Sequence, residues 1–328
     1  MTRSALTMCV FFAAGTLSSV SLGQVALYSN AATTLTDPGL ATGAVSATGV
    51  AAPAGQVWSE AGSGGTNNTS AIAGFSTHAI AGSAGYRFAD DFTVSDAAGW
   101  RVTGASFFAY QTGNAGIPGA PPFSALNLRV WSGRPGDAGS VVVFGDPATN
   151  VLTTITPTNM LRIFNSAASP LPQAPDASRV VWRSDAALAG AGVVLLPGTY
   201  WLDWQYTSIN PNAEAFTPPV TIIGSRGKAG GNAVQLKFAS GMWTPAVDGG
   251  KPFYAADVVQ DLPFLLEGGV FCRADINLDG TLDPDDLADY IGGFFSQPPD
   301  PTADFNGDSI VDPDDLADYI GAFFTGCG

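Results

Sequence analysis

The sequence predicts a mainly β chain, an antiparallel β-sandwich of jelly-roll type, followed by a small α-helical module. Three observations lead there. Charged residues make up only 12% of the chain while Gly and Pro number 40 and 23, a mixture that suits short strands and turns over long helices. About ten short apolar or alternating segments lie between turn signals, and none of them keeps a helical period for three turns. The last 57 residues then say nearly the same thing twice, with apolar residues at helical spacing in both copies.

Taken from the start, Arg3, the apolar run Ala5–Gly15 and the small residues Ser21-Leu22-Gly23 read as a secretory signal peptide over residues 1–23. The apolar run is too short to span a membrane, so the expected location is secreted, extracellular or attached to the cell surface. Removing the leader removes Cys9 and leaves Cys272 and Cys327, which bracket the repeat. In an oxidising compartment they are expected to pair, and closing a loop of that length contributes roughly 4 kcal/mol in the chain-entropy model.

The body, residues 24–270, opens with an Ala-, Gly- and Ser-rich part in which Val25–Tyr28 and Val57–Trp58 are candidate strands. Strand signals follow in series: Tyr86–Val94, Trp100–Tyr110, Leu126–Trp131, Ser140–Phe144, Val180–Ser184, Val193–Leu196, Thr199–Tyr206, Val220–Ile223, Val234–Phe238 and Pro263–Phe271. Turns such as Gly133-Arg134-Pro135-Gly136-Asp137 and Leu196-Pro197-Gly198 separate them. In Gly198–Tyr206, Tyr200, Leu202, Trp204 and Tyr206 point to one side, and Trp201, Asp203 and Gln205 to the other. Trp201 either packs beneath a loop, the favoured reading, or lies on an open sheet face of the kind that binds polysaccharide.

Chemistry in the body is sparse. His78 is the sole histidine, which argues against a Ser–His–Asp triad, a Cys–His pair and a His-rich zinc site, and it is read as a surface residue. Only Glu60, Glu214 and Glu267 are available as glutamates, with no motif around them, and Asp90-Asp91 reads as a structural calcium or turn candidate in preference to a catalytic pair. A non-catalytic body is therefore favoured. The alternative is a carbohydrate-active enzyme working with two carboxylates. The net charge of −15 is uneven: residues from Cys272 onward carry 13 Asp and one Arg, and the rest of the chain is close to neutral. Such a field disfavours nucleic acid and anionic membranes and attracts cations.

The repeat carries that acidity. Asp275–Phe295 reads DINLDGTLDPDDLADYIGGFF and Asp304–Phe324 reads DFNGDSIVDPDDLADYIGAFF, at a constant offset of 29 residues. Counting from the first Asp, oxygen-bearing side chains fall at positions 1, 3, 5, 9 and 12: Asp275, Asn277, Asp279, Asp283 and Asp286, then Asp304, Asn306, Asp308, Asp312 and Asp315. That is the ligand spacing of an EF-hand-like calcium loop, in which the residue at position 7, here Thr281 or Ile310, supplies a backbone carbonyl. Two Ca²⁺ ions are expected, the second more weakly held, because position 6 is Gly280 in one loop and Ser309 in the other. Asp283 and Asp312 cap the following helices, with Pro284 and Pro313 at the first helical position. Leu287, Tyr290, Ile291, Phe294 and Phe295, and Leu316, Tyr319, Ile320, Phe323 and Phe324, are read as one core-facing side of each helix.

These loops, each with Asp at position 12 and a short helix, joined by a Pro-containing linker, resemble a type I dockerin over Phe271–Gly328, and the ending TGCG resembles the Gly-Cys-terminated subgroup. The resemblance implies a calcium-dependent, non-catalytic plug for a cohesin-like or cell-envelope partner. It implies recognition through Pro284, Asp285, Ile291, Pro313, Asp314 and Ile320. The phrases ADDFTV, FFAYQTG, RVWSGRPG and PGTYWLDW are similar to a secreted bacterial sandwich unit, which implies fold and location and no chemistry.

Overall fold

A computed structural model describes residues 20–21, 25–31, 34–61, 70–79, 85–113, 121–163, 177–188, 190, 192–250 and 255–327. The chain is mainly β and divides into two compact units, Gly23–Phe271 and Cys272–Gly328, the latter together with Met1–Leu22. The leader reading of residues 1–23 lies outside the described residues except for Val20–Ser21. The backbone of that pair lies antiparallel to Thr281–Leu282. Among the described residues no helix is long and apolar enough to cross a membrane.

The larger unit is two sheets in a sandwich-like arrangement. Its strands of three or more residues are β1 (Val25–Ser29), β2 (Val57–Glu60), β3 (Tyr86–Val94), β4 (Trp100–Ala109), β5 (Phe123–Ser132), β6 (Val141–Gly145), β7 (Leu152–Ile163), β8 (Val180–Ala187), β9 (Val193–Leu195), β10 (Gly198–Ser208), β11 (Val234–Lys237), β12 (Met242–Pro245) and β13 (Phe264–Val270). One sheet runs β1-β13-β4-β8-β7-β2, with β9 also on β4, and the other runs β12-β11-β3-β10-β5-β6. The pairing is antiparallel except at one edge, where β2 lies parallel to β7 through Val57 and Met160.

The alternation in β10 sets the core. Trp204 reaches across from its own sheet to Phe107 of β4 and Phe264 of β13, with ring centroids 5.0 and 6.0 Å away. Leu202 and Tyr206 are buried beside it. On the opposite side of β10, Trp201 is 6% exposed and packs with Ala89 and Val234. The Gly133–Asp137 turn lies over this cluster: the Arg134 guanidinium sits 5.8 Å from the Trp201 ring, and Gly136 lies against Trp243. Trp201 thus packs beneath a loop and not on an open face.

Asp203, also on that outer side, is wholly buried. It accepts hydrogen bonds from Arg87 Nε at 2.6 Å, Arg129 Nε at 2.6 Å and Trp131 Nε1 at 3.0 Å, and Arg87 also donates to Asn127. Asp90 and Asp91 lie within β3 and not in a turn; the Asp90 carboxylate accepts from Asn30 Nδ2 at 2.6 Å and the Leu262 amide at 2.7 Å, which ties β3 to chain segments outside its own sheet.

Three expectations need correcting. Val220–Ile223 is not a strand but a loop segment. The twelve-residue β7 went unread because Pro157 interrupts a Thr-rich run. Among the described residues its first half faces no strand beyond β8, and an edge tolerates proline because the missing N–H would bond nothing. His78 is not on the surface: it is 1% exposed, and the amide of the following Ala79 donates to the Tyr206 carbonyl at 3.0 Å.

Burial lowers the His78 pKa below its ordinary value. The unfolded chain therefore binds the extra proton first as pH falls, and the contribution of neutral His78 is lost from about pH 6.5 downward. The sandwich is expected to lose stability over that range by at most about 1.4 kcal/mol per pH unit from this residue. Urea midpoints of wild type and His78→Gln, compared at pH 7 and 5, check it. The difference isolates His78 from Glu60, Asp90 and Asp91, whose burial-raised pKa values act in the opposite direction.

Candidate metal and docking site

In the smaller unit each acidic loop runs into a helix, α1 (Pro284–Phe294) or α2 (Pro313–Thr325). Asp283 and Asp312 cap them through the amides of Asp285 and Asp314, both at 2.9 Å. The reciprocal half of each capping box comes from position 12: Asp286 and Asp315 accept from the Asp283 and Asp312 amides at 2.9 Å. A carboxylate at the third helical position must reach back to the cap while its other oxygen accepts the position-3 amide, Asn277 at 3.3 Å or Asn306 at 2.9 Å. Both side chains are wholly buried, and these amides hold the Asp315 carboxyl below its usual range.

The rest of each loop repeats just as closely. Asp275 and Asp304 accept from the amides at positions 5 and 6, Asn277 and Asn306 from position 5, and Asp279 and Asp308 from position 7. Among the described residues no three acidic, imidazole or thiol groups converge on one point. The donor set itself is all oxygen: four carboxylates, the Asn277 or Asn306 amide oxygen and the Thr281 or Ile310 carbonyl within twelve residues. That chemistry fits a hard cation such as Ca²⁺ and no soft one.

Both loops take the left-handed conformation twice, at positions 4 and 6: Leu278 (φ 57°) and Gly280 (86°) in the first, Gly307 (81°) and Ser309 (75°) in the second. Each loop thus holds one glycine and one residue that pays a steric penalty, so backbone strain does not single out the second loop as the weaker. Replacing Leu278 or Ser309 by Gly is expected to stabilise this unit by about 0.5–1 kcal/mol each, and Gly307→Ala to destabilise it by a similar amount. Thermal unfolding of the three variants checks this.

Tyr290 and Tyr319 bind the two copies together. Their rings stack at 3.8 Å and 8°, and Phe305 meets both edge-on. Tyr290 donates to the Ala303 carbonyl at 2.9 Å, just ahead of the second loop, and Tyr319 donates to Ala274 at 3.4 Å, just ahead of the first. Burial pushes the Tyr290 phenol up to about 12 and Tyr319 higher still. Cys272 and Cys327 form a disulfide with Cα atoms 5.2 Å apart.

The apolar side of each helix is divided. Tyr290, Tyr319 and Phe323 are buried, and Leu287, Phe294 and Leu316 pack beside them. Ile291 (39%) and Ile320 (38%) are exposed, as are Phe295 (66%) and Phe324 (67%), against the expectation of one core-facing stripe. Pro284, Ala288, Ile291 and Phe295 follow one another at helical spacing, and all are exposed, with Asp285 exposed beside them. Pro313, Ala317, Ile320, Phe324 and Asp314 repeat the pattern. Phe295 and Phe324 were missed as surface residues; their signal was a shift of about 100° from the Leu287–Tyr290–Phe294 line on the helix. In the sandwich, Glu60 on β2 and Glu267 on β13 are separated by three strands, roughly 19 Å at the usual strand spacing, so these two carboxylates are not brought together. No protein-family model, no curated protein and no solved structure matches this chain.

Proposed function

We propose that residues 271–328 are a calcium-stabilised docking module of dockerin type, and that the sandwich is the cargo it displays on a secreted bacterial protein. One observation carries this reading. The same exposed stripe, apolar along the helix and acidic beside its start, occurs twice, on two helices joined by a stacked tyrosine pair. An apolar centre with a charged rim is what a protein interface needs. Two equivalent faces give one partner two ways to dock. The partner class is a cohesin-like or cell-envelope protein, and polysaccharide is a candidate ligand of the sandwich, through residues other than the covered Trp201.

Calorimetric titration of the full chain with calcium is expected to give two sites, with Asp279→Ala removing the first and Asp308→Ala the second. Zero stoichiometry would end the calcium reading. Capture of a recombinant cohesin should need calcium, survive Ile291→Asp or Ile320→Asp alone, and fail in the double variant. If the double variant still takes up calcium and captures as well as wild type, the docking face lies elsewhere. Incubation with polysaccharides, scored for both pull-down and released sugar, distinguishes a binding cargo from a catalytic one.

A further inference from the structure

The two copies differ in how their loops are approached. The lead-in to the second loop, Pro301-Thr302-Ala303, is joined to the end of α1 by six residues of continuous chain. Asp300 fixes that connection. Its amide donates to the Gly293 carbonyl at 3.0 Å, its carboxylate accepts the Thr302 amide at 2.9 Å and hydroxyl at 2.8 Å, and its carbonyl accepts the Ala303 amide at 2.9 Å. The lead-in to the first loop is Cys272-Arg273-Ala274, 29 residues earlier. Locally the two are alike. Asp275 N donates to Cys272 O at 3.3 Å and Asp304 N to Pro301 O at 3.3 Å, and each alanine carbonyl accepts from the tyrosine of the other copy.

No chain runs from the end of α2 back to Cys272. The disulfide supplies that connection: Cys327 lies two residues beyond α2 and is bonded to the first residue of the first loop's lead-in. Followed through its covalent bonds, the module is a ring in which chain joins α1 to the second loop and sulfur joins α2 to the first.

We infer that the Cys272–Cys327 bridge controls the calcium affinity of the first loop, making that loop sensitive to redox conditions while the second is not. The inference rests on the calcium reading above. A small dithiol cleaves the bridge to two thiols and is itself oxidised to its cyclic disulfide. The first lead-in is then held to the second copy by non-covalent contacts, among them the long hydrogen bond from Tyr319 to Ala274, one from Arg273 to the Asp304 carbonyl at 3.4 Å and the Arg273 guanidinium 4.8 Å from the Phe305 ring, and fixing its position draws more on the binding free energy of the ion. The second lead-in keeps its peptide connection and its Asp300 anchor.

The test uses the full chain with Asp308→Ala, which leaves the first loop, and with Asp279→Ala, which leaves the second. Each is titrated calorimetrically with calcium, oxidised and after dithiol treatment, and a Cys272→Ser/Cys327→Ser background repeats the comparison without reductant. Bridge loss is expected to weaken the first loop by at least about tenfold and the second by less than about threefold. An unchanged first loop overturns the inference and leaves the calcium reading standing. Equal weakening of both loops overturns it as well, since the bridge then supports the whole module and not one lead-in. An oxidised chain that binds no calcium ends both.

Discussion

Asp203→Ala is expected to destabilise the sandwich by about 3–5 kcal/mol, since removing one partner of a buried ion pair leaves the other charge uncompensated. The site makes this loss severe. Arg87 is wholly buried and, among the described residues, keeps Asn127 as its side-chain partner, while Arg129 and the Trp131 indole lose the same carboxylate. Water cannot readily replace it, because Trp201, Ala89 and Val234 pack on the same side of the sheet. Urea unfolding should show a large drop in midpoint with little change in slope. Asp203→Leu combined with Arg87→Met should recover part of the loss, because an apolar pair removes the stranded charge along with its partner. A loss below about 1 kcal/mol for Asp203→Ala would mean the network contributes little.

Tyr319→Ala is expected to cost the C-terminal unit about 3–5 kcal/mol, the range for deleting a buried aromatic side chain. The stack on Tyr290, the edge contact with Phe305 and the hydrogen bond to Ala274 are lost together. Since the unit has a small core of its own, a loss of that size should unfold it near room temperature while the sandwich transition stays in place. Calorimetry resolves the two. Tyr319→Phe keeps the ring and should cost only about 1 kcal/mol for the hydrogen bond. If Tyr319→Ala lowers both transitions together, the two units do not melt independently.

How much of this was legible in advance depends on what each residue answers to. The capped helices and the acidic spacing follow from local rules, so Asp283, Pro284 and Asp286 could be placed from the repeat alone. Strands with a clean alternation, such as Gly198–Ser208, were equally plain. What escaped depends on distant neighbours. Pro157 is acceptable only because its strand lies at an edge there, which is a property of sheet order and not of the segment. His78 sits in a polar, Gly-rich stretch and is buried because that stretch pairs with Tyr206. Ile291 and Phe295 match the helical period as well as Tyr290 does. Which of them is covered is decided by the other copy, whose tyrosine occupies the space above Tyr290.

The division of aromatic residues between the units has an optical consequence. All seven tryptophans fall between Trp58 and Trp243, within the sandwich unit, and the C-terminal unit contains none. Indole emission excited at the red edge of absorption therefore reports the sandwich alone. The two stacked phenols lie close and nearly parallel, so their transitions couple and should add a near-ultraviolet dichroic signal that vanishes when the pair separates. Indole emission thus follows the sandwich unit selectively, and the effect of a chelator, a thiol or a substitution on that unit can be read without cutting the chain.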